Sequence, residues 1–503
     1  MTTEQLRERA QAFMEEVSRE GYLAHAGLKN EAELQKIYAA YANILDSDAL
    51  QLCATRFHDA TAGSEEWRAA RMMLDWQVEG QVGRQLAALD ERAIALENDA
   101  VVRLDDGREL AYLVAPIEIT NTADRRARNA IDAARAAVVQ TQLAPVALER
   151  LQREKACVEA LGIAESYNET FELLSGVSLR GLADACAAFL TETQAMWDDV
   201  LNERLKAFGV PKGEATRADT LALFRLREYD AAFPGRSMEA TIRRNCAEMQ
   251  LDASAGGRVI FDLGDREGKR PRAFCAPVRV PEEVYLVLRP HGGQADYNTL
   301  LHELGHALHF GYARPDYPFE YRWLGDNSVT ESYAMLFDHR MQDRGWLLRY
   351  TELGSGRVAD FLRLAAFEEL HFLRRYCAKL SYEIAVYDGT VPWRSLPDLY
   401  VETLSRATSV RYCAADAFVD LDPRYYSTRY LRAWQLQAVI NETLTHRFDA
   451  DWWRNPAAGP WIVQQLFSEG QRETAHEVAA RVGVTGELGF APLVKQVETL
   501  LGA

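Results

Sequence analysis

The sequence lacks several features that whole classes of protein require. Its 57 lysines and arginines are outnumbered by 74 aspartates and glutamates, and the formal net charge is -17. Without an excess of basic residues, binding of nucleic acid through a basic surface is not expected. No run approaches eighteen uninterrupted apolar residues, so no membrane-spanning helix and no membrane partner are predicted. Residues 1–12 are polar and lack the apolar segment of a secretory signal.

Cysteine is scarce, odd in number and never found as a close pair. The seven cysteines are Cys53, Cys157, Cys186, Cys246, Cys275, Cys377 and Cys413. This pattern is typical of reduced thiols, and it argues against a disulfide framework or a cysteine-based metal site. We therefore expect a cytoplasmic protein.

Linkers, internal repeats and low-complexity tracts are also missing. The chain has 16 prolines in 503 residues, and no segment rich in proline, glycine and serine divides it. We predict one bilobal unit over residues 1–503. Its first part, 1–200, is expected to be helical, and its second part, 201–503, contains the motifs described below.

Helical periodicity dominates the sequence. Apolar residues recur three or four apart over 3–20, 31–45, 64–97, 122–162, 178–207, 356–382, 430–448 and 460–481. Strand patterns are few: a hairpin over 101–112 with its turn at 106–107, and a segment over 274–288. We expect a mainly α-helical fold with a small sheet just before residue 300.

One segment, 299–309, has a recognisable chemical pattern. His302 and His306 are four residues apart, so on a helix they share one face and both imidazoles can reach an ion at about 2.0–2.1 Å. Glu303 lies about 100° around the helix, where it can accept a proton from a water activated by the metal. Gly305 costs about 1 kcal/mol in a helix relative to alanine, which favours the close approach of a second helix there.

A catalytic zinc ion needs a third protein ligand and an open position. A third histidine six residues after His306 is excluded because that position is Tyr312. Residues 327–328 are a predicted helix N-cap, and Glu331 follows in an apolar context where an acid is costly to bury without a cation. Glu320, in an aromatic loop, is the competing candidate. The predicted ligands of one zinc ion are His302, His306 and Glu331, a set that cobalt or manganese could also use.

Two nearby residues could support the ligands. His309 lies on the same helical face as the two histidines, although a hydrogen-bonded core histidine is the more frequent case. Asp338, seven residues after Glu331, could orient a ligand imidazole, or it could be a solvated carboxylate.

These motifs resemble the gluzincin zinc oligopeptidases related to thimet oligopeptidase, neurolysin and oligopeptidase F. The resemblance covers residues 205–450. Besides a glutamate at the position of Glu331, it rests on five segments in the family's order: 261–269, 273–275, 284–288, 292–293 and 302–309. It implies a helical ellipsoid with a deep channel, a small antiparallel sheet next to the zinc helix, and short peptides as substrates.

The resemblance also implies residue roles. Hydrogen bonds to the substrate backbone, by strand addition, are implied for the edge-strand residues Ala273, Phe274, Cys275 and Ala276. Tyr430 matches the family's oxyanion donor, whose contribution is about 2–4 kcal/mol. Tyr425 and Tyr426 match the preceding tyrosine pair, which implies a catalytic role for Tyr425 and substrate binding for Tyr426. Any of the three tyrosines can instead be a packing aromatic.

The predicted reaction is peptide hydrolysis. Glu303 would take a proton from the attacking water and deliver it to the leaving amine, while Tyr430 stabilises the oxyanion. A carboxypeptidase or dipeptidyl carboxypeptidase on the same scaffold is an alternative, because angiotensin-converting enzyme resembles the helix start at 429–430.

One departure from the family favours a further alternative. The family has a histidine nine to ten residues before the tyrosine pair, whereas this chain has Asp416 and Asp420 in that region. A carboxylate donates a hydrogen bond only when protonated. The further alternative is therefore a metal-dependent amide hydrolase, or a pseudoenzyme, with a specialised non-peptide ligand. The oligomeric state is not predicted.

Overall fold

The computed structural model describes residues 1–29, 32–270 and 272–502. Over these residues the chain is mainly α-helical, as predicted. The first eleven helices are α1 (Thr3–His25), α2 (Leu34–Ala40), α3 (Ser47–Asp59), α4 (Glu65–Asp99), α5 (Ala115–Asn121), α6 (Arg125–Val138), α7 (Ala144–Ala160), α8 (Tyr167–Ser175), α9 (Leu179–Glu192), α10 (Gln194–Ala207) and α11 (Arg217–Leu223).

The later helices include the longest helix of the C-terminal half. They are α12 (Met238–Glu248), α13 (Gln294–Tyr312), α14 (Phe319–Trp323), α15 (Asn327–Asp338), α16 (Arg344–Tyr350), α17 (Ser355–Asp388), α18 (Leu396–Thr408), α19 (Tyr426–Phe448), α20 (Ala458–Gln465), α21 (Ala475–Arg481) and α22 (Ala491–Leu501).

Two small sheets accompany the helices. The predicted hairpin is present as β1 (Val101–Arg103) and β2 (Glu109–Ala111), with Gly107 at a φ of 86° in its turn. The second sheet has the order β3-β5-β4, formed by β3 (Val259–Asp262), β4 (Phe274–Arg279) and β5 (Glu283–Val287). Strands β4 and β5 are the predicted antiparallel pair, and β3, which the sequence did not indicate as a strand, joins β5 in parallel.

Several predicted helices are interrupted. The helix expected over 31–45 begins at Glu31, which lies outside the described residues, and the remainder forms α2 and a 3-10 turn over Ala42–Ile44. The helix expected over 460–481 is split into α20 and α21. Between them, Gly470 adopts a φ of 56° and lies so close to the carbonyl of Tyr321 that no side chain would fit there. Tertiary contact therefore overrides the apolar periodicity at this point.

The chain divides into two compact units. The first comprises residues 1–77, 227–365 and 429–503, and the second comprises residues 78–226 and 366–428. The first unit contains the β3-β5-β4 sheet together with α13 and α15. The second contains the β1-β2 hairpin, whose Val102 packs with Ile119 and Ile131. The predicted division at residue 200 stays a prediction.

Helices α13 and α15 pack very closely within the first unit. A Cβ atom on Gly305 would lie 2.5 Å from the Cα atom of Ala334 and 2.5 Å from the carbonyl oxygen of Tyr333. Only glycine fits at this contact, as expected from its position in the middle of a helix. The close packing brings the two helices that contain the predicted ligands side by side.

A search of the described residues for membrane-spanning helices finds no single helix of sufficient length and apolarity. Helices α8 and α9 pass such a test only when they are taken together, and they meet at 88°.

Candidate metal centre

Helix α15 is buried along almost its whole length, which explains how Glu331 comes to lie in the interior. Every residue from Ser328 to Phe337 is buried. The helix is capped by Asp326, whose carboxylate accepts a hydrogen bond from the N–H of Ser328 at 3.0 Å, rather than by the predicted pair 327–328. Asp326 in turn accepts a hydrogen bond from Arg432 at 2.8 Å. The start of the glutamate-bearing helix is therefore held by an ion pair.

The structure brings the three predicted ligands together. The Oε2 atom of Glu331 lies 3.4 Å from Nε2 of His302 and 3.6 Å from Nε2 of His306. One ligand atom from each of these residues lies within 4.8 Å of the other two. The two imidazole rings stand nearly perpendicular, at 84°, with their centroids 4.9 Å apart.

Each imidazole is oriented by a hydrogen bond at its other ring nitrogen. Nδ1 of His302 lies 2.8 Å from Oδ2 of Asp338, and Nδ1 of His306 lies 2.9 Å from Oγ1 of Thr330. The other carboxylate oxygen of Asp338 lies 2.6 Å from Nδ1 of His339. Such contacts leave both Nε2 atoms directed at Glu331, which is the arrangement that ligand histidines usually have.

The spacing of this cluster fits a zinc ion. Two ligand atoms that are each about 2.1 Å from one tetrahedral ion lie about 3.4 Å apart. The observed separations of 3.4 and 3.6 Å between the carboxylate oxygen and the two imidazole nitrogens match that value. Two imidazoles and one carboxylate are also a ligand set that zinc accepts while keeping a fourth position open.

The electrostatics of the cluster agree with a cation-binding role. For His302, burial acts to lower the pKa, but the contacts with Asp338 and Glu331 outweigh it and raise the pKa to about 10. Burial lowers the pKa of His306 to about 4. The negative charge of the two acids thus attracts a positive charge to this position, and a neutral His306 is ready to donate its lone pair.

Glu303 projects from α13 towards the edge strand β4. Its Oε2 atom accepts a hydrogen bond from the N–H of Cys275 at 2.7 Å. Burial raises the pKa of Glu303 to about 7, although the nearby His302 and the N–H of Cys275 act to lower it. A carboxylate with a pKa near neutrality is suited to accept and then release a proton.

Strand β4 lies at the edge of its sheet, as the resemblance implied, and it includes Phe274, Cys275 and Ala276, with Ala273 just before it. The N–H of Cys275 points away from β5, because it is bonded to Glu303. Residue 277, two positions on and therefore on the same side, is a proline without an N–H. The outward side of β4 therefore has no N–H at residue 277. Strand addition at residues 273–276 stays a prediction.

The three predicted tyrosines have different surroundings. Tyr430 lies near the start of α19, partly exposed, with its ring 6.4 Å from that of Trp434. Tyr426, the first residue of α19, is also partly exposed. Tyr425 is fully buried, and its hydroxyl donates a hydrogen bond to Asn168 at 2.5 Å. This burial favours a packing role for Tyr425, and the catalytic and substrate-binding roles of all three tyrosines stay predictions.

Other candidates have structural partners. The rival ligand Glu320 is fully buried and accepts a hydrogen bond from Arg7 at 2.5 Å. His309 is buried too, and its Nε2 atom lies 2.8 Å from the carbonyl oxygen of Gly470, so it is a core histidine. The hydroxyl of Tyr312 donates a hydrogen bond to the carbonyl oxygen of Asp252 at 2.9 Å.

The two aspartates in the region of the missing histidine are ion-paired within the second unit. Asp416 accepts two hydrogen bonds from Arg135, at 2.8 and 2.9 Å. Asp420 accepts hydrogen bonds from Arg375 at 2.5 Å and from Tyr400 at 2.6 Å. Salt-bridged carboxylates of this kind cannot replace a hydrogen-bond donor.

Three contacts of the centre were not found from the sequence. They are the hydroxyl of Thr330, the imidazole of His339 and the backbone N–H of Cys275. Thr330 and His339 are each next in sequence to a residue already singled out, which is the signal that could have suggested them. The N–H of Cys275 has no signal in the sequence, because any residue except proline supplies one.

No protein-family model matches this sequence, and a search of curated proteins finds no match either. Solved structures do match. An M32 carboxypeptidase from Deinococcus radiodurans R1 superimposes with a TM-score of 0.64 at 14% identity, over 99% of both chains. A candidate peptidase from Chlamydophila abortus gives a TM-score of 0.64 at 13% identity, over 93% of this chain and 83% of that one. At this level of identity the likeness establishes a shared fold.

Proposed function

We propose that this protein is a zinc metallopeptidase that hydrolyses short peptides, with the ion held by His302, His306 and Glu331. The observation on which the proposal rests is the convergence of two Nε2 atoms on one carboxylate oxygen, at 3.4 and 3.6 Å. The same fold in a carboxypeptidase supports a peptidase. We propose a cytoplasmic location because the cysteines are unpaired in sequence.

The chain's own residues would divide the chemistry between them. Zinc, when bound, supplies a Lewis acid that polarises a carbonyl group and acidifies water. Glu303 takes the proton of the attacking water on its carboxylate and passes it to the leaving amine. Its bond to the N–H of Cys275 holds that carboxylate in place. Tyr430 is the proposed hydrogen-bond donor to the oxyanion.

Metal analysis of purified variants, together with turnover of a peptide library, tests this proposal. We expect Glu303→Gln to keep stoichiometric zinc and to lose turnover by at least about a hundredfold, as the removal of a general base does. Glu331→Ala should lose both zinc and turnover. Glu402→Gln, on the exposed face of α18, is the control and should change neither. Undiminished zinc in Glu331→Ala would contradict the proposed ligand set.

A carboxypeptidase is the second candidate, and the match to the M32 carboxypeptidase over 99% of both chains favours it over an endopeptidase. An enzyme that removes C-terminal residues needs the free carboxylate of its substrate. We therefore expect cleavage of peptides with a free C-terminus and little cleavage of the same peptides after C-terminal amidation. Equal rates on both forms would support an endopeptidase.

We also propose that the chain belongs to the gluzincin oligopeptidase family that its sequence resembles. The ion-paired Asp416 and Asp420 cannot supply the hydrogen bond that the family's histidine would donate. If a zinc-loaded protein cleaves no member of a broad peptide library, an amide hydrolase with a non-peptide substrate becomes the better interpretation.

A further inference from the structure

A cavity of about 650 Å³ lies in the first unit, beyond the end of α15. Its wall includes residues that directly follow α15, the C-terminal part of α19, the consecutive residues Trp452 and Trp453, and one side of α22. This volume is in the range of cavities that hold small organic molecules. Both tryptophans line the cavity, so its wall has apolar as well as polar groups.

Arg340 is an unusual member of this wall. Its side chain is 2% exposed, yet none of its three guanidinium nitrogens has a hydrogen-bond partner among the described residues. Its Cζ atom lies 3.9 Å from the centroid of Trp452 and 4.9 Å from that of Phe337. Burying a cation without an acceptor is unfavourable unless something compensates it. The indole covers the face of the guanidinium, whereas the N–H groups lie at its edge. An acceptor can bond to them only from within the guanidinium plane.

Neither acidic residue of the wall accepts a hydrogen bond from Arg340. Glu442 lies 3.9 Å from the ammonium of Lys495, so these two charges offset one another. Asp343 caps α16, where its Oδ1 atom accepts a hydrogen bond from the N–H of Trp346 at 2.7 Å, and its charge acts on Arg340 without a hydrogen bond between them. The N–H groups of Arg340 are therefore left for a ligand, and a planar anion matches the fork of a guanidinium best.

This cavity is connected to the candidate metal centre. His339 lines the cavity and lies 2.6 Å from one carboxylate oxygen of Asp338. The other oxygen of Asp338 lies 2.8 Å from the ligand His302. A molecule in the cavity thus contacts a residue that shares its carboxylate partner with a proposed zinc ligand.

We propose that this cavity binds a small carboxylate with an apolar body, anchored by Arg340 and packed on Trp452 and Trp453. We propose further that its occupancy acts on the metal centre through His339 and Asp338. The first statement is independent of the proposed peptidase activity, and the second rests on the proposed zinc site.

Calorimetric titration of the full chain tests the binding site with three probes. Phenylacetate has the required carboxylate and ring, 2-phenylethanol has the ring alone, and phenylphosphonate has a phosphonate in place of the carboxylate. We expect one phenylacetate to bind per chain, and both other probes to bind at least about tenfold more weakly. Equal binding of 2-phenylethanol would overturn the role of the charge, and tighter binding of phenylphosphonate would overturn the carboxylate class.

Variants locate the bound probe. Arg340→Gln should weaken phenylacetate binding at least about tenfold, while Arg344→Gln, an exposed arginine four residues away, should not. Thr499→Trp, at an exposed position of the wall, should block the cavity and abolish binding even if Arg340→Gln fails to fold. A carboxylate bound to zinc instead would survive Thr499→Trp, and that result would overturn the site.

The link to the metal centre has a separate readout, the rate at which the zinc-loaded protein loses its ion to EDTA. Phenylacetate should change that rate at least about twofold in the parent protein and leave it unchanged in Thr499→Trp. If calorimetry shows binding while the rate of zinc loss stays the same, the link through Asp338 is refuted. If neither the parent protein nor any variant holds zinc, the proposed function fails, whereas the result for phenylacetate binding still stands.

Discussion

At the scale of single residues, the orientation of the imidazoles depends on two hydrogen bonds of different strength. His302 is held by a carboxylate, Asp338, whereas His306 is held by the hydroxyl of Thr330. A carboxylate fixes the ring and increases its basicity, and a hydroxyl fixes it more weakly because the group is neutral. The two proposed ligands should therefore differ in how much their supporting residues contribute to metal affinity.

We predict that Asp338→Asn weakens zinc binding by about ten- to a hundredfold, as the loss of a carboxylate partner commonly does. Thr330→Val, which removes one neutral hydrogen bond of about 1 kcal/mol, should weaken it only about fivefold. Competition with a chromogenic chelator measures both affinities. Asp316→Asn, at an exposed position, is the control. A larger effect for Thr330→Val than for Asp338→Asn would contradict this ranking.

At the scale of secondary-structure elements, the contact between α13 and α15 is the critical one. The Gly305 contact with Ala334 leaves no room for a methyl group, because the added Cβ would lie 2.5 Å from a backbone atom. Backbone atoms cannot move aside as a flexible side chain can. The helices must separate if the glycine is replaced.

We predict that Gly305→Ala lowers the free energy of unfolding by about 1–3 kcal/mol, the cost of overpacking, and also lowers zinc content. Gly83→Ala is the matched control, since Gly83 lies inside α4 with nothing within 4 Å of its missing Cβ. It should stabilise the protein by about 0.5–1 kcal/mol through helix propensity. Urea unfolding and metal analysis distinguish the two variants. Equal stability of both would show that α13 and α15 can move apart freely.

The sequence predicted an element best where the residues of that element alone were enough to identify it. The spacing of His302 and His306 and the apolar setting of Glu331 indicated the ligands on two helices, and the central position of Gly305 indicated that a second helix packs closely there. Strand β3 was missed, because four residues that pair in parallel with β5 have no periodicity of their own to distinguish. The break at Gly470 was missed for a related reason, since it depends on the carbonyl of Tyr321, which is distant in sequence.

Within the candidate site, the sequence could indicate ligands but not the hydrogen bonds of the backbone. The N–H of Cys275 reaches Glu303 only because β4 lies beside α13, and that neighbourhood is a property of the fold. The environment of Tyr425 is another example. A tyrosine that matches a family motif and a tyrosine buried with its hydroxyl on Asn168 look alike in one sequence.

At the scale of the whole molecule, stability should depend on pH through buried acids, and Glu383 is the clearest case. It is fully buried, accepts hydrogen bonds from Ser427 and from the N–H of Asp422, and lies 4.0 Å from Lys379. Burial raises its pKa from 4.5 to about 7, although Lys379 acts to lower it. Between pH 4.5 and about pH 7, Glu383 is therefore protonated in the folded protein and ionised in the unfolded chain. Stability should fall as pH rises through that window.

We predict that the parent protein loses up to about 3 kcal/mol between pH 5 and pH 8 from this group, and that Glu383→Gln does not, because glutamine cannot ionise. Urea unfolding of both proteins at the two pH values measures the difference. Glu402→Gln, on the exposed face of α18, should retain the pH dependence of the parent. Identical pH profiles for parent and Glu383→Gln would assign the protonation to other groups.

The bond between Glu303 and the N–H of Cys275 has a consequence for how substrate reaches the centre. A peptide chain aligned along β4 has to find its partners at an edge where one amide is already engaged and Pro277 supplies none. A backbone carbonyl of such a peptide would compete with the Glu303 carboxylate for the N–H of Cys275. The position of Glu303, the proposed proton acceptor, would then respond directly to whether a peptide occupies the edge of the sheet.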